Sequence, residues 1–200
     1  MDLFTPTQAA VATGLPLKAV QKAIDLRAVP TRIVKAGSTR SRYLSSTALL
    51  CLHLEASGLH ELPLSIRKAV FAYISRTPQA RQIKVNEVVV VDISNARKRL
   101  ALGLQKLKKA EQMVVSDPAV MGGTPVFRGT RIPVETITEM LEAGVSAEEI
   151  LDGYPSLSPE KLKFAMVYVQ AHPRRGRPRV QPWNKIQPSK RVRMRLYDIA

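Results

Sequence analysis

Glycine and proline punctuate this 200-residue chain so often that only short helices and brief strands fit between them. The first interval is Phe4-Thr5-Pro6-Thr7-Gln8-Ala9-Ala10-Val11-Ala12-Thr13-Gly14-Leu15-Pro16. Thr5 or Thr7 suits a helix cap, Pro6 suits the first turn, and Gly14 ends the helix. A second helix runs from Pro16 to about residue 28, with Leu17, Val20 and Ile24 as its buried stripe. Helix, tight glycine turn and helix make a helix-turn-helix outline. Residues 30–44 then predict a two-strand hairpin around Gly37-Ser38-Thr39, a basic "wing". Helices are expected at 46–56 and 63–75, separated by Gly58 and Pro63. Val88-Val89-Val90-Val91 predicts a strand. A helix over about 95–113 follows, capped by Ser94 or Asn95, with Leu100, Leu104 and Leu107 on one face. Its cations Arg97, Lys98, Lys106, Lys108 and Lys109 form a solvated face or touch phosphate. Short strands at 113–115 and 126–127 precede helices at 134–143, 146–152 and 158–171, the last two opened by Ser146 and Ser158.

Charge divides the chain into unlike parts. The formal net charge is +15, which says little about fold but predicts attraction to polyanions. Residues 1–112 hold 18 Lys/Arg against 7 Asp/Glu, residues 113–172 hold 4 against 8, and residues 173–200 hold 9 against 1. Two basic blocks therefore flank an acidic module. The expected organisation is a winged helix-turn-helix domain over 1–80 and a linking strand and helix over 81–112. A helix-turn-helix-like three-helix module over 113–172 and an extended basic tail over 173–200 complete it. The fold class is mainly α with small β elements. A single cysteine, Cys51, lies in an apolar run and reads as a buried thiol in a reducing compartment. With no run of roughly 20 apolar residues and no leader pattern, a soluble cytoplasmic protein is expected.

The stretch Gly122-Gly123-Thr124-Pro125-Val126-Phe127-Arg128-Gly129-Thr130-Arg131-Ile132-Pro133-Val134 invites a phosphate-binding interpretation. It lacks the spacing and the lysine of a P-loop, and it is not spaced as a dinucleotide fingerprint. Its expected role is a fold-defining turn and strand, with Arg128 and Arg131 salt-bridged to the acidic helix nearby or turned to a partner. His53, His60 and His172 are scattered, so no metal set and no cofactor are expected. Glu148, Glu149 and Asp152 sit where a helix N-terminus favours acids. No nucleophile–base pair stands out, and the chain is not expected to be an enzyme.

That stretch, with Ser116-Asp117-Pro118 before it and Gly144-Val145-Ser146, Glu149-Ile150-Leu151 and Tyr154-Pro155-Ser156-Leu157-Ser158 after it, resembles the domain-of-unknown-function 433 family, a bacterial antitoxin domain. Thr7-Gln8-Ala9-Ala10 and Thr13-Gly14-Leu15 make residues 4–52 similar to a MerR-type winged helix-turn-helix. The combined architecture resembles the longer VapB-like antitoxins. The resemblance implies a type II toxin–antitoxin partner that neutralises a PIN-like ribonuclease toxin and represses its own operon. The alternative is a stand-alone MerR-like transcriptional regulator whose C-terminal domain only dimerises it.

Recognition helices enter the major groove, so Lys18, Gln21 and Lys22 are the candidates for base edges or phosphate. Arg32, Lys35, Arg40 and Arg42 on the hairpin are expected on phosphate or the neighbouring minor groove of operator DNA. A homodimer is expected, since such domains read two half-sites. In the tail, Pro173-Arg174-Arg175-Gly176-Arg177-Pro178-Arg179 resembles an AT-hook. Residues 190–197 alternate basic and apolar, which is strand periodicity. This strand pairs with a partner or with the protein's own sheet. The candidate toxin-binding residues are Arg174, Arg175, Arg177, Arg179, Trp183, Arg191, Arg193, Arg195 and Tyr197, with arginine pairing the toxin's metal-binding carboxylates.

Overall fold

A computed structural model describes residues 2–36, 39–87 and 89–174, with only the backbone of residues 36 and 39. It is mainly helical with small antiparallel sheets. Strand β1 (Leu3–Phe4) leads into helix α1 (Pro6–Thr13). Thr5 caps α1 by accepting from the Gln8 amide, while the Gln8 side chain accepts from the Thr5 amide, a reciprocal pair that satisfies two end groups. Left-handed Gly14 closes α1, and α2 (Leu17–Asp25) begins after Pro16. Strands β2 (Arg32–Ala36) and β3 (Thr39–Ser45) form the expected hairpin. Leu3 and Phe4 pair with Ser45 and Leu44, so β3 is the centre of a three-stranded sheet in the order β1-β3-β2. The two-residue β1 went unanticipated, because Leu3-Phe4 is too short to show alternation.

Helices α3 (Ser46–Ala56) and α4 (Leu64–Arg76) follow. A bidentate ion pair ties them: Arg67 donates through Nε to Glu55 Oε1 at 2.7 Å and through Nη2 to Oε2 at 2.5 Å. A second sheet pairs β4 (Gln82–Lys84) with β5 (Val90–Asp92). The valine-rich run thus does hold a strand, and its partner β4 has a single apolar residue, Ile83, to announce it. Helix α5 (Ser94–Gln112) starts at Ile93 and not through a Ser or Asn side chain. Asp92 holds the Ser94 amide at 2.8 Å instead, and the Ser94 amide and hydroxyl keep its carboxyl below the usual value.

α5 spans about 28 Å at 1.5 Å per residue and is the spine of the molecule. Ala96, Leu100 and Leu107 bury into one core with Ala9, Val20, Leu44, Leu49, Val70 and Ile74. A second core lies in the C-terminal part. There β6 (Val114–Val115) pairs with β7 (Val126–Phe127), and α6 (Val134–Glu142), α7 (Ala147–Gly153) and α8 (Pro159–Ala171) surround Phe127, Ile137 and Ile150. Ser146 and Ser158 cap α7 and α8 as expected. The far end of α8 leaves that module, so that Ala171 is buried in the first core. None of the described helices is long and apolar enough to cross a membrane.

α1 crosses α5 at Gly103. A β-carbon there would stand 1.9 Å from the Ala12 carbonyl oxygen, which no packing tolerates. Gly103→Ala therefore pushes α1 off α5 and lowers stability by about 1–3 kcal/mol, although alanine favours an isolated helix by about 1 kcal/mol. Urea denaturation reads the outcome as a lower midpoint; a higher one contradicts the close approach.

Beneath the end of α1, His53 of α3 is buried with no hydrogen-bond partner at Nδ1. Burial, reinforced by the Arg99 charge, holds its pKa below 6.5 against a hydrogen bond to the Thr13 backbone. The folded protein prefers the neutral ring, so its stabilising contribution is present above the unfolded pKa of about 6.5 and is lost as pH falls toward the lower folded value. The melting temperature should drop on acidification below about pH 6.5, and His53→Gln should flatten that part of the profile. An unchanged slope in the variant assigns the acid sensitivity elsewhere.

Candidate nucleic-acid interface

Helix α2 buries Val20 and Ile24 and leaves Lys18, Gln21 and Lys22 exposed along its opposite side. Leu17, expected in the buried stripe, is 37% exposed, because it stands at the first turn of α2 between two surface grooves. The register of the hairpin sorts its cations. Ile33 pairs with Arg42 and Lys35 with Arg40, while Arg32 pairs with Tyr43. Paired residues of an antiparallel ladder share a face. Lys35, Arg40 and Arg42 therefore line one face with Ile33, and Arg32 stands on the other. That first face is continuous with Leu44, which is fully buried at the base of the hairpin.

Lys35 directly opposite Arg40 is a like-charge pair, an arrangement that costs stability in a sheet unless an anion answers it. Arg42 is answered internally by an ion pair to Asp25 at the end of α2. Between Asp2 and Glu55, Asp25 is the one acidic residue in the sequence. The pair ties the hairpin to α2, and with both partners exposed it contributes at most about 1 kcal/mol. All seven candidate side chains are exposed. Arg27 and Lys68, which sequence reasoning passed over, join Arg42 in a groove between α2, β2 and α4. Arg27 has a positive φ of 51°, and nothing in its sequence neighbourhood signals that turn.

A hydrogen-bonded hub couples this surface to the C-terminal module. Glu111, at the end of α5, accepts from Gln8 Nε2 of α1 at 2.9 Å. It also meets His172 Nε2, just past α8, at 2.9 Å. Thr7 donates its hydroxyl to the Ala171 carbonyl at 2.7 Å. Tyr168 stacks on His172, and burial with the Glu111 charge raises its pKa. His172 thus packs into a three-helix junction beyond merely facing a helix end. The last described residue, Arg174, pairs with Glu135 of α6 at 2.7 Å. Arg175, Arg177, Arg179, Trp183, Arg191, Arg193, Arg195 and Tyr197 lie outside the described residues, as does the expected strand at 190–197.

The glycine-rich stretch is a turn in which most amides are already engaged. Gly122 and Gly123 take φ of 62° and 82°, which glycine adopts without steric cost. Gly123 donates to Val120, Thr124 to Met121, Phe127 to Ile132, Arg128 to Met113 and Val134 to Pro125. A phosphate cradle needs such amides free and convergent. Arg128 makes no salt bridge among the described residues, contrary to the expectation; its guanidinium donates to the Gln112 carbonyl at 2.8 Å and the Val114 carbonyl at 3.4 Å. Carbonyls at a helix C-terminus have no intrahelical partner, so this arginine caps α5. Arg131 is exposed. Cys51 is buried and its thiol is pushed up to about 12, which leaves it protonated and unreactive.

Residues 114–169 match the family model described as "Protein of unknown function (DUF433)", so this part of the chain is a DUF433 domain. Across nearly the whole length, the chain is similar to "Uncharacterized protein y4eO" of Sinorhizobium fredii (strain NBRC 101917 / NGR234). The two are 29% identical over 189 residues, covering 90% of this chain and 86% of the other. Among solved structures, the X-ray crystal structure of Rv2018 from Mycobacterium tuberculosis is similar at 15% identity with a TM-score of 0.38. That alignment covers 83% of this chain and 97% of that one.

Proposed function

We propose that this protein is the antitoxin of a type II toxin–antitoxin pair. In this role it is a homodimer that represses its own operon by binding operator DNA and neutralises a PIN-like ribonuclease. The observation that carries the DNA-binding half is the basic face built by α2 and the hairpin. Lys35 faces Arg40 across the ladder, Lys18, Gln21 and Lys22 are exposed on α2, and Asp25 is the one acidic residue between Asp2 and Glu55. A sheet that places two cations opposite each other gains stability when a polyanion lies across them. The exposed side of α2 supplies groups for base edges, and the wing supplies groups for the backbone.

The toxin-binding half rests on charge. The residues after the DUF433 domain hold nine Lys/Arg against one Asp/Glu. A PIN-like nuclease holds divalent metal with clustered carboxylates, and an arginine inserted among them blocks both metal and RNA. In this account the catalytic chemistry belongs to the toxin.

For DNA binding, log affinity should fall with log salt by roughly 0.9 per phosphate neutralised. The double variant Lys18→Ala/Lys22→Ala should reduce that slope by about 1–2 and release the DNA upstream of this protein's own reading frame. Fluorescence anisotropy over 50–200 mM salt measures it, and a slope equal to that of the parent chain removes α2 from the interface. For the toxin, co-expression with the adjacent reading frame should restore growth and co-purify the two proteins, and a chain ending at Arg174 should do neither. Rescue by the shortened chain takes the tail out of neutralisation. Operator binding with no rescue by the full chain leaves the stand-alone regulator.

A further inference from the structure

The first turn of α2 stands between two grooves, and Leu17 lines both. On one side the groove runs between the α1–α2 turn, α5 and α8, and its cation is Lys106 of α5. On the other it runs between α2, β3 and the end of α8, where Gln21, Arg42, Tyr43 and Arg174 meet. Among the described residues, neither groove is lined by a carboxylate. Two cations from outside the winged helix-turn-helix therefore flank the end of α2 that a recognition helix presents to base edges. Lys106 has no ion-pair partner among the described residues. Arg174 has Glu135, but the arginine side chain of that pair is 65% exposed, so it remains open to a second anion. A phosphate offers arginine the same two-pronged geometry with more charge.

We propose that Lys106 and Arg174 are phosphate contacts on the two strands bordering the groove that α2 enters. The proposal rests on the DNA-binding half of the function above. It makes α5 and the last helix of the DUF433 domain part of the DNA interface, although that domain is acidic overall. It also moves Arg174 from the toxin surface to DNA.

The test compares the full chain with Lys106→Ala and Arg174→Ala, using Lys18→Ala/Lys22→Ala as the control for α2. The probes are the duplex upstream of the reading frame and a random duplex of equal length. Each single variant should keep the parent melting temperature, lower the salt slope by about 0.9 and weaken both duplexes to a similar degree. Lys106→Arg should restore the parent slope. If the α2 variant lowers the slope and Lys106→Ala and Arg174→Ala do not, the proposal fails while DNA binding by α2 stands. If the parent chain binds neither duplex in a salt-dependent way, the underlying DNA-binding function fails and the proposal with it. Loss of toxin co-purification by Arg174→Ala at an unchanged salt slope returns that residue to the protein partner and overturns its assignment here.

Discussion

The approach of α1 to α5 at Gly103 governs the rest of the molecule. Backbone meets side-chain-free backbone there, with the Ala12 carbonyl in the space that any other residue's β-carbon would fill. Because α1 lies so close, its short side chains Ala9 and Ala12 bury fully into the core shared with Leu100 and Leu107. The orientation of α2 follows, since only Gly14, Leu15 and Pro16 separate it from α1. That crossing sets how α2 leaves α1, and the Arg42–Asp25 pair ties the hairpin to α2.

The same helix carries the coupling between the two ends of the chain. Glu111 at the C-terminus of α5 holds Gln8, which also completes the α1 capping box, and meets His172 beyond α8. Arg128 of the DUF433 domain closes the α5 carbonyls a few ångströms away. His172, two residues before the last described one, is therefore bonded through one carboxylate to the first turn of α1.

Much of this was legible in the sequence because punctuation, capping and apolar spacing agreed. Gly14 and Pro16, Ser146 and Ser158, and the β-branched run near residue 90 each announced an element that the structure contains. What stayed hidden was long-range. Gly103 sits in an ordinary helical pattern, and only its neighbour Ala12, 91 residues earlier in the sequence, explains it. The Glu55–Arg67 pair and the Glu111 hub join residues that no local pattern links. Leu17 shows the limit of periodicity: its spacing is that of a buried residue, but at the first turn of α2 it opens onto two grooves. The basic residues of the candidate interface were readable as types, whereas the ladder register was needed to put Lys35, Arg40 and Arg42 on one face and Arg32 on the other.

The central claim is that α2 and one face of the hairpin lie on DNA. Backbone amide NMR during titration with the upstream duplex tests it residue by residue. The largest shifts should fall on Leu17–Lys22, on Lys35 and Arg40, and on their immediate neighbours, while α7 stays still. Shifts concentrated in α7, or none at all at duplex concentrations that saturate binding, would contradict it.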